Sequence, residues 1–291
     1  MIEYVEPVIR PPSEADSLLL QVTLGCSHNK CAFCGTYITK RFSVKPLDEV
    51  LAEIDWAREN VGDVRRVFLC DGDALVLPTE HLVKIVDRLN EAFPGLQRIG
   101  AYANARDILE KSPGDLAMLR ERKLSILYLG LESGNEEILR RAKKGNTARE
   151  AVGAVLKAQA AGMKMSVMTL LGLGGEGLTR EHARDSTAAL NEMNPRYASF
   201  LTVVVLPQTP LWVRRKKGTF KELGPVEAVR ELHEMVAGLN LKNTVIRSNH
   251  VSNFVALAGT MPKDKARMLA QIDAALADPS LMRVRRNQYL L

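Results

Sequence analysis

Three of the chain's four cysteines fall inside one short segment, GCSHNKCAFCGTY (25–37). Cys26, Cys31 and Cys34 are spaced C-x4-C-x2-C. Three thiolates on one loop can face one point, and soft thiolate ligands select zinc or an iron–sulfur cluster. Structural zinc takes four protein ligands, for which His28 in the loop and Cys70 are the candidates. A 4Fe–4S cluster held by three thiolates leaves one iron open to a substrate or cofactor. Clustering of this kind is not a disulfide framework and points to metal or catalysis rather than packing. A second polar group stands in IRSNHVSN (246–253), where Arg247, Asn249, His250 and Asn253 form an irregular segment between helical patterns. It reads either as a lid whose Arg247, Asn249 and His250 act on a substrate, or as a capping loop. Asn104, in AYANARD, is a pocket residue or shapes a turn. His81, His182 and His233 fall in helical patterns and read as surface or packing residues. Cys70 reads as a small buried strand residue, Tyr102 points either inward or onto a helix, and Arg10 and Glu14 read as a surface turn.

The elements that must position these groups alternate. Strand candidates are LLLQV (18–22), RVFLC (66–70), RIGAY (98–102), ILYLGL (126–131), KMSVMTLL (164–171) and ASFLTVVVL (198–206). They are apolar over nearly their full length, as strands covered on both faces are. Helical patterns lie between them. PLDEVLAEIDWAREN (46–60) has apolar residues three and four apart; NEEILRRAKKG (135–145) opens on a capping Asn135; NTAREAVGAVLKAQAAG (146–162) closes at a glycine. Such repetition implies a parallel sheet with helices outside. Six strands fit before about residue 210, and a full eightfold barrel needs roughly 250 residues. The expected fold is therefore α/β, a partial (β/α)6 TIM-like barrel over residues 1–215, with a C-terminal helical extension, 216–291, packed on it. The cysteine loop follows the first strand, at the carboxyl ends where parallel α/β folds place their ligands.

Composition limits the classes. With 291 residues, 46% hydrophobic and 25% charged, the profile is that of a soluble globular protein. No apolar run reaches about 18 residues, so no membrane span is expected. The amino-terminal residues lack a signal-peptide layout, and the expected setting is cytoplasmic. Net charge is +6, with RRKK (Arg214–Lys217) and RVRR (Arg283–Arg286) as the main basic clusters. A solvated surface is the expectation for them. No RNA-binding signature accompanies them, and nucleic acid stays open as a substrate.

The cysteine loop resembles that of the radical S-adenosylmethionine (radical SAM) superfamily, C-x3-C-x2-C with an aromatic before the last cysteine, here Phe33. The first gap holds four residues instead of three. Later segments extend the likeness in order. CDGDAL (70–75) is similar to the segment that meets the methionine amino group, with Asp71, Gly72 and Asp73 where the family has Gly-Gly-Glu. YLGLESGNEEILRRAKKG (128–145) is similar to a Gly-x-Glu-Ser-Gly segment and carries Glu132 and Ser133. LLGLGGEG (170–177), with Gly172 and Gly174, resembles the glycine-rich stretch near the adenine. VVVLPQTPLW (203–212), with Leu206 and Pro207, resembles the Pro-x-Thr-Pro-Leu turn beside it. Within the superfamily the general look is that of iron–sulfur oxidoreductases related to anaerobic coproporphyrinogen oxidase.

The resemblance implies one 4Fe–4S cluster on Cys26, Cys31 and Cys34, with SAM bound by the residues just named and by Asn104. It implies reductive cleavage of SAM to a 5′-deoxyadenosyl radical that abstracts hydrogen from a small-molecule or carrier-presented substrate. A flavodoxin or ferredoxin is the implied reductant. The alternatives are a non-catalytic iron–sulfur or haem carrier on the same fold, or a zinc-stabilised binding module. Only Cys70 stands outside the loop, so a second cysteine-held cluster is not expected, which argues against sulfur insertion.

Overall fold

A computed structural model of the chain describes residues 1–284; Arg285 and Arg286 of the second basic cluster lie outside them. The first half runs β1 (Leu18–Gln21), β2 (Thr23–Leu24), β3 (Ser43–Val44), α1 (Leu47–Asn60), β4 (Arg66–Cys70), α2 (Thr79–Ala92), β5 (Arg98–Tyr102), α3 (Ala105–Glu110) and α4 (Pro113–Glu121). Then come β6 (Leu124–Glu132), α5 (Glu136–Arg141), α6 (Ala148–Ala160), β7 (Lys164–Leu171), α7 (Thr179–Met193) and β8 (Tyr197–Thr202). The chain continues through α8 (Pro210–Lys216), α9 (Pro225–Gly238), β9 (Val245–Arg247), β10 (Ala258–Thr260) and α10 (Lys265–Ala277). The architecture is α/β, with strands and helices alternating as the patterning requires. The strands read at 66–70, 98–102 and 164–171 match β4, β5 and β7 to the residue.

The chain divides into two compact units. In the first (residues 1–29, 36–129 and 153–165), β1, β4, β5 and most of β6 lie side by side and parallel. Leu18–Gln21 align with Val67–Cys70, and Arg66–Leu69 with Arg98–Ala101. Val67, Phe68, Leu69 and Cys70 have no exposed surface, because both faces of β4 are covered. α2 supplies part of that cover through Leu82, Ile85, Val86 and Leu89, buried at helical spacing. Each such side chain contributes roughly 1.5–3 kcal/mol.

The expected surface turn at Glu14 is instead part of this core. Glu14 is fully buried. Arg98 donates to both of its oxygens, at 2.8 and 3.1 Å, and the Tyr128 hydroxyl donates to Oε1. A Cβ on Gly100 would stand 3.1 Å from Ile126 Cγ2 and 3.2 Å from the Phe68 ring, so the strands pack closely there. Local sequence shows a proline-rich turn; the Arg98 and Tyr128 partners of Glu14 lie more than eighty residues away. The ring of Tyr102, left open by the pattern, stands edge-on to Phe68 at 5.0 Å.

In the second unit (residues 30–35, 130–152 and from 166 onward), β7, β8 and β9 are parallel and β10 is antiparallel to β9. α7 packs on α9, and α9 on α10. Two features depart from the pattern. β8 ends at Thr202, although the apolar run continues to Leu206. Its terminal groups are taken by side chains: Thr202 N–H donates to Ser252 Oγ at 3.1 Å, and Asn253 Nδ2 donates to Phe200 O at 2.7 Å. β9 overlaps the segment read as irregular; three residues, of which one is buried, are too few to show a period. Among the described residues, no helix is long and apolar enough to cross a membrane.

Replacing Glu14 with Ala leaves Arg98 and Tyr128 without their shared acceptor. A loss on the order of 3 kcal/mol is expected, read as a lower urea midpoint with an unchanged slope.

Candidate active site at the cysteine loop

In the first unit the loop is rooted on the residues that follow β4. Asp71 is fully buried and adopts φ +67°. Its Oδ2 accepts the Gly25 amide at 2.7 Å and pairs with Lys40 Nζ at 2.6 Å, while Oδ1 accepts from Gln21 Nε2 at 3.0 Å. Both oxygens are thus committed to donors that fix the chain just before Cys26. The Gly72 amide donates to Gly25 O at 2.8 Å. A Cβ on Gly72 would lie 2.5 Å from Cys26 Cβ and 3.0 Å from the Tyr37 ring, so only glycine permits this approach.

Asp73 and Asn104 are brought together. Asp73 Oδ2 accepts from Asn104 Nδ2 at 2.7 Å and from the Ser27 hydroxyl. Asn104 holds the N-cap position of α3 but caps nothing with its side chain, which reaches Asp73 instead. Asp73 Oδ1 is buried with no donor, as is Oδ2 of Asp107. The other Asp107 oxygen accepts from Arg106 at 3.2 and 3.0 Å. Burial first, and then the neighbouring Asp107, push the Asp73 carboxyl up to about 7. A proton on Asp73 lets it donate to Asp107. Asp107 was not among the residues singled out from sequence; an acid in a first helical turn reads as dipole complementation.

In the second unit the Cys31–Cys34 turn is clamped by backbone. The Ala32 amide donates to Ala142 O at 2.7 Å, and Leu211 N–H donates to Ala32 O at 2.8 Å. The turn therefore sits between the end of α5 and the first turn of α8. Phe33 packs on a cluster of Ile138, Ala142, Leu173, Val203, Val205, Leu211 and Phe220. A Cβ on Gly35 would meet Leu206 Cδ1 at 2.8 Å. Leu206 O accepts from the hydroxyl of Thr209, the residue that caps α8, at 2.7 Å. Pro207 is exposed, and Gly174 packs on Ile138.

Glu132 adopts φ +63° at the end of β6, with Oε1 accepting from Lys144 Nζ at 3.0 Å. Its side chain folds over Gly130, where a Cβ would stand 1.9 Å from Oε1. Ser133 is fully buried against His182, 2.8 Å from Nδ1. Gly172, at φ +79°, donates its amide to Glu231 Oε1 at 2.6 Å. In the 246–253 segment Ile246, Ser248, Ser252 and Asn253 are buried, and the last three tie it to the end of β8. Arg247 and Asn249 are exposed, and Arg247 donates to its neighbour's carbonyl on Ile246. His250 is half-buried, with Nδ1 2.9 Å from Ser252 Oγ, and burial lowers its pKa.

The three cysteines of the loop are half-buried. Among the described residues no three His, Cys, Asp or Glu side chains are gathered closely enough to hold a metal ion. Fit to a cluster rests on the donor set and its cradle: three thiols on one loop, one of them seated against Gly72. Cys70 is fully buried at the end of β4, and burial pushes its thiol up to about 12.

The chain is an α/β protein of strand–helix units with a three-thiol loop directly after its amino-terminal strands β1 and β2. The model of the Radical SAM superfamily matches residues 20–187, more than half of the chain, and the chain belongs to that superfamily. Its enzymes bind a 4Fe–4S cluster and SAM. Among curated proteins the chain is 25% identical over 225 residues to the tRNA-2-methylthio-N(6)-dimethylallyladenosine synthase of Methylococcus capsulatus, covering 72% of this chain and 46% of that one. It thus spans about half the length of the curated relatives it matches. The fold is shared with coproporphyrinogen III oxidase from Escherichia coli (TM-score 0.59, 19% identity, covering 76% of this chain and 51% of that one). It is shared also with methylornithine synthase (TM-score 0.56, 16% identity, 94% and 76%).

Gly72→Ala is expected to displace the loop root and lower bound iron per chain after reconstitution, with helix content by circular dichroism retained. Asp107→Asn supplies a donor to Asp73 Oδ1 and removes a like charge. Because the Asp73 carboxyl titrates near 7 when folded and near 3.9 unfolded, the native state loses stability as pH rises through that interval. The variant is expected to be more stable than wild type at pH 8, on the order of 1 kcal/mol, with the difference shrinking toward pH 4. Urea melts at the two pH values check it.

Proposed function

We propose that the chain is a hydrogen-abstracting radical SAM enzyme working with a single cluster on Cys26, Cys31 and Cys34. The observation that carries this is the cysteine inventory. The sequence holds four, three lie in the loop, and the fourth is sealed inside β4 with its thiol held protonated. When bound, the reduced cluster and SAM supply a 5′-deoxyadenosyl radical, methionine being the other fragment, and the radical takes a hydrogen atom from the substrate.

The chain's own residues have separable tasks. Asp71, Lys40 and Gly72 fix the root of the loop, and Phe33 fixes the Cys31–Cys34 turn in its apolar seat. Asp73, with Ser27 and Asn104, offers a buried carboxyl of suitable charge for the ammonium group of SAM. Glu132 and Ser133 are read as meeting its methionine or ribose, and Gly172, Gly174, Leu206 and Pro207 as lining the adenine. Arg247, Asn249 and His250 are read as groups that meet the substrate. Residues 1–215 are taken as the catalytic core and 216–291 as its extension, with a flavodoxin or ferredoxin in the cytoplasm as reductant.

A sulfur-transferring reading is favoured by the similarity to tRNA methylthio-transferring relatives and by the net charge of +6. It ranks second, because these 291 residues offer no second set of thiolates to hold a sacrificial cluster. Transfer RNA is a substrate only under that reading.

The test is anaerobic reconstitution with iron and sulfide, addition of dithionite and SAM, and assay of 5′-deoxyadenosine. Wild type is expected to bind about four irons per chain and to release deoxyadenosine; Cys70→Ala is expected to match it. The Cys26, Cys31 and Cys34 to Ala triple variant is expected to do neither. About eight irons per chain, or sulfur incorporated into added tRNA, overturns the single-cluster reading. A cluster that binds SAM and never cleaves it with any reductant assigns the chain as a carrier.

A further inference from the structure

Behind two turns of the second unit lies a buried polar group that the sequence pattern hides. His182 on α7 and Glu231 on α9 are 0% and 1% exposed. Leu170 O can only accept, so Nε2 of His182 carries a proton and donates to it at 2.9 Å. Nδ1 meets Ser133 Oγ at 2.8 Å and Ser186 Oγ at 3.1 Å. Those hydroxyls in turn accept amides of the turn after β6: Ser133 Oγ from Asn135 at 3.0 Å, and Ser186 Oγ from Gly134 at 2.9 Å. Glu231 Oε1 accepts the Gly172 amide at 2.6 Å and lies 3.8 Å from His182 Nε2. Its Oε2 accepts from the Thr179 hydroxyl at 2.5 Å.

What these bonds hold is the backbone of two turns. Gly172 takes φ +79°, which glycine adopts freely, but Glu132 sits at φ +63°, where an L side chain is strained. Such conformations persist only where the surroundings over-determine them. There is no slack beside them either: a Cβ on Gly134 would stand 2.1 Å from Asp185 O on α7. A buried ionisable pair is a poor device for stability, because apolar packing does as well without the desolvation cost. It is a good device for geometry, since each member accepts or donates in only one arrangement.

We propose that His182 and Glu231 are positioning residues for SAM: they fix the Glu132–Ser133 turn and the Gly172 turn without touching the ligand. The proposal rests on the reading above that these turns meet SAM. His182 sets the first turn through the Ser133 and Ser186 hydroxyls and the end of β7 through Leu170, and Glu231 sets the second turn through its amide.

The test uses the full chain carrying His182→Ala, His182→Asn or Glu231→Gln, with Glu132→Ala alongside. His182→Asn places an amide oxygen where Nδ1 accepts, so it keeps the Ser133 partner and loses the Leu170 bond. In deoxyadenosine release, the KM for SAM is expected to rise roughly tenfold in His182→Ala and Glu231→Gln. Bound iron and kcat at saturating SAM are expected to hold within about twofold, and His182→Asn to recover most of the loss. In the metal-free protein, hydrogen exchange is expected to quicken at residues 131–135 and 170–174 and nowhere else in β6 or β7. An unchanged KM in both His182→Ala and Glu231→Gln overturns the proposal. So does a uniform fall of melting temperature, iron uptake and kcat together, which marks packing alone. Should His182→Ala fail to fold, the near-isosteric Glu231→Gln decides. An unchanged KM in Glu132→Ala sinks the reading of the turn as a SAM site, and is told apart because it appears without any change at His182.

Discussion

The Asp71–Lys40 pair is the contact on which the root of the cysteine loop depends. It is buried on both sides, 4% and 0% exposed at the side chains, and 2.6 Å long. Removing two charges from water is costly, and a buried pair survives only when its remaining hydrogen-bond capacity is filled. Here it is filled. Asp71 takes Gln21 and the Gly25 amide, and Lys40 Nζ donates to the carbonyls of Val5 at 2.5 Å and Pro7 at 3.2 Å. Every one of these partners lies on the chain before the cysteine loop or directly at its root. The pair therefore fixes where the loop leaves the sheet more than it stabilises the sheet.

Strain and satisfaction are divided between neighbouring residues. Asp71 follows a strand at positive φ with both side-chain oxygens taken by donors of the protein, and Glu132 ends one at positive φ with Oε1 paired to Lys144. Asp73, two residues on, is the contrary case. It keeps one buried oxygen without a donor and titrates near neutrality. A carboxylate already neutralised by lysine has little attraction left for an incoming ammonium group. One raised toward 7 by burial and a like charge gains most from it. Of the three residues in the Asp-Gly-Asp run, the first has both oxygens committed to donors of the protein, the second stands where a Cβ would meet Cys26, and the third keeps a buried oxygen without a donor.

The sequence announced what repeats and what is local. β4, β5 and β7 were legible because an apolar run five to eight residues long, bounded by turn residues, has one physical solution in an α/β chain. Asn135 was legible as a cap, and its side chain does accept the Ile138 amide. The thiol loop was legible because three soft ligands at short spacing serve little else. What stayed hidden are pairings over long separations. Glu14 reaches Arg98 across 84 residues, and Ser133 reaches His182 across 49. A histidine inside a helical pattern shows only that it lies on a helix; which face it occupies, and what stands there, is set by packing. β9 was hidden for a different reason: hydrogen bonding to β8, not any period of its own, makes Val245–Arg247 a strand.

Each unit solves its turn problem with the same chemistry. In one, Asp71 accepts the amide of Gly25 at φ +73° and is paired with Lys40. In the other, Glu231 accepts the amide of Gly172 at φ +79° and lies beside His182. A glycine in the left-handed region turns its amide away from any ladder, and a buried amide without an acceptor is costly. A carboxyl group brought from elsewhere in the chain accepts at short range without demanding further backbone distortion, and in the first unit Lys40 offsets its charge. Ladder bonds would have continued the strand; a side-chain acceptor lets the strand stop and the chain turn. Both turns adjoin residues read as binding SAM. The buried acids of this fold are thus best understood as the means by which parallel strands end in defined loops, with reactivity left to the few polar groups whose partners are incomplete.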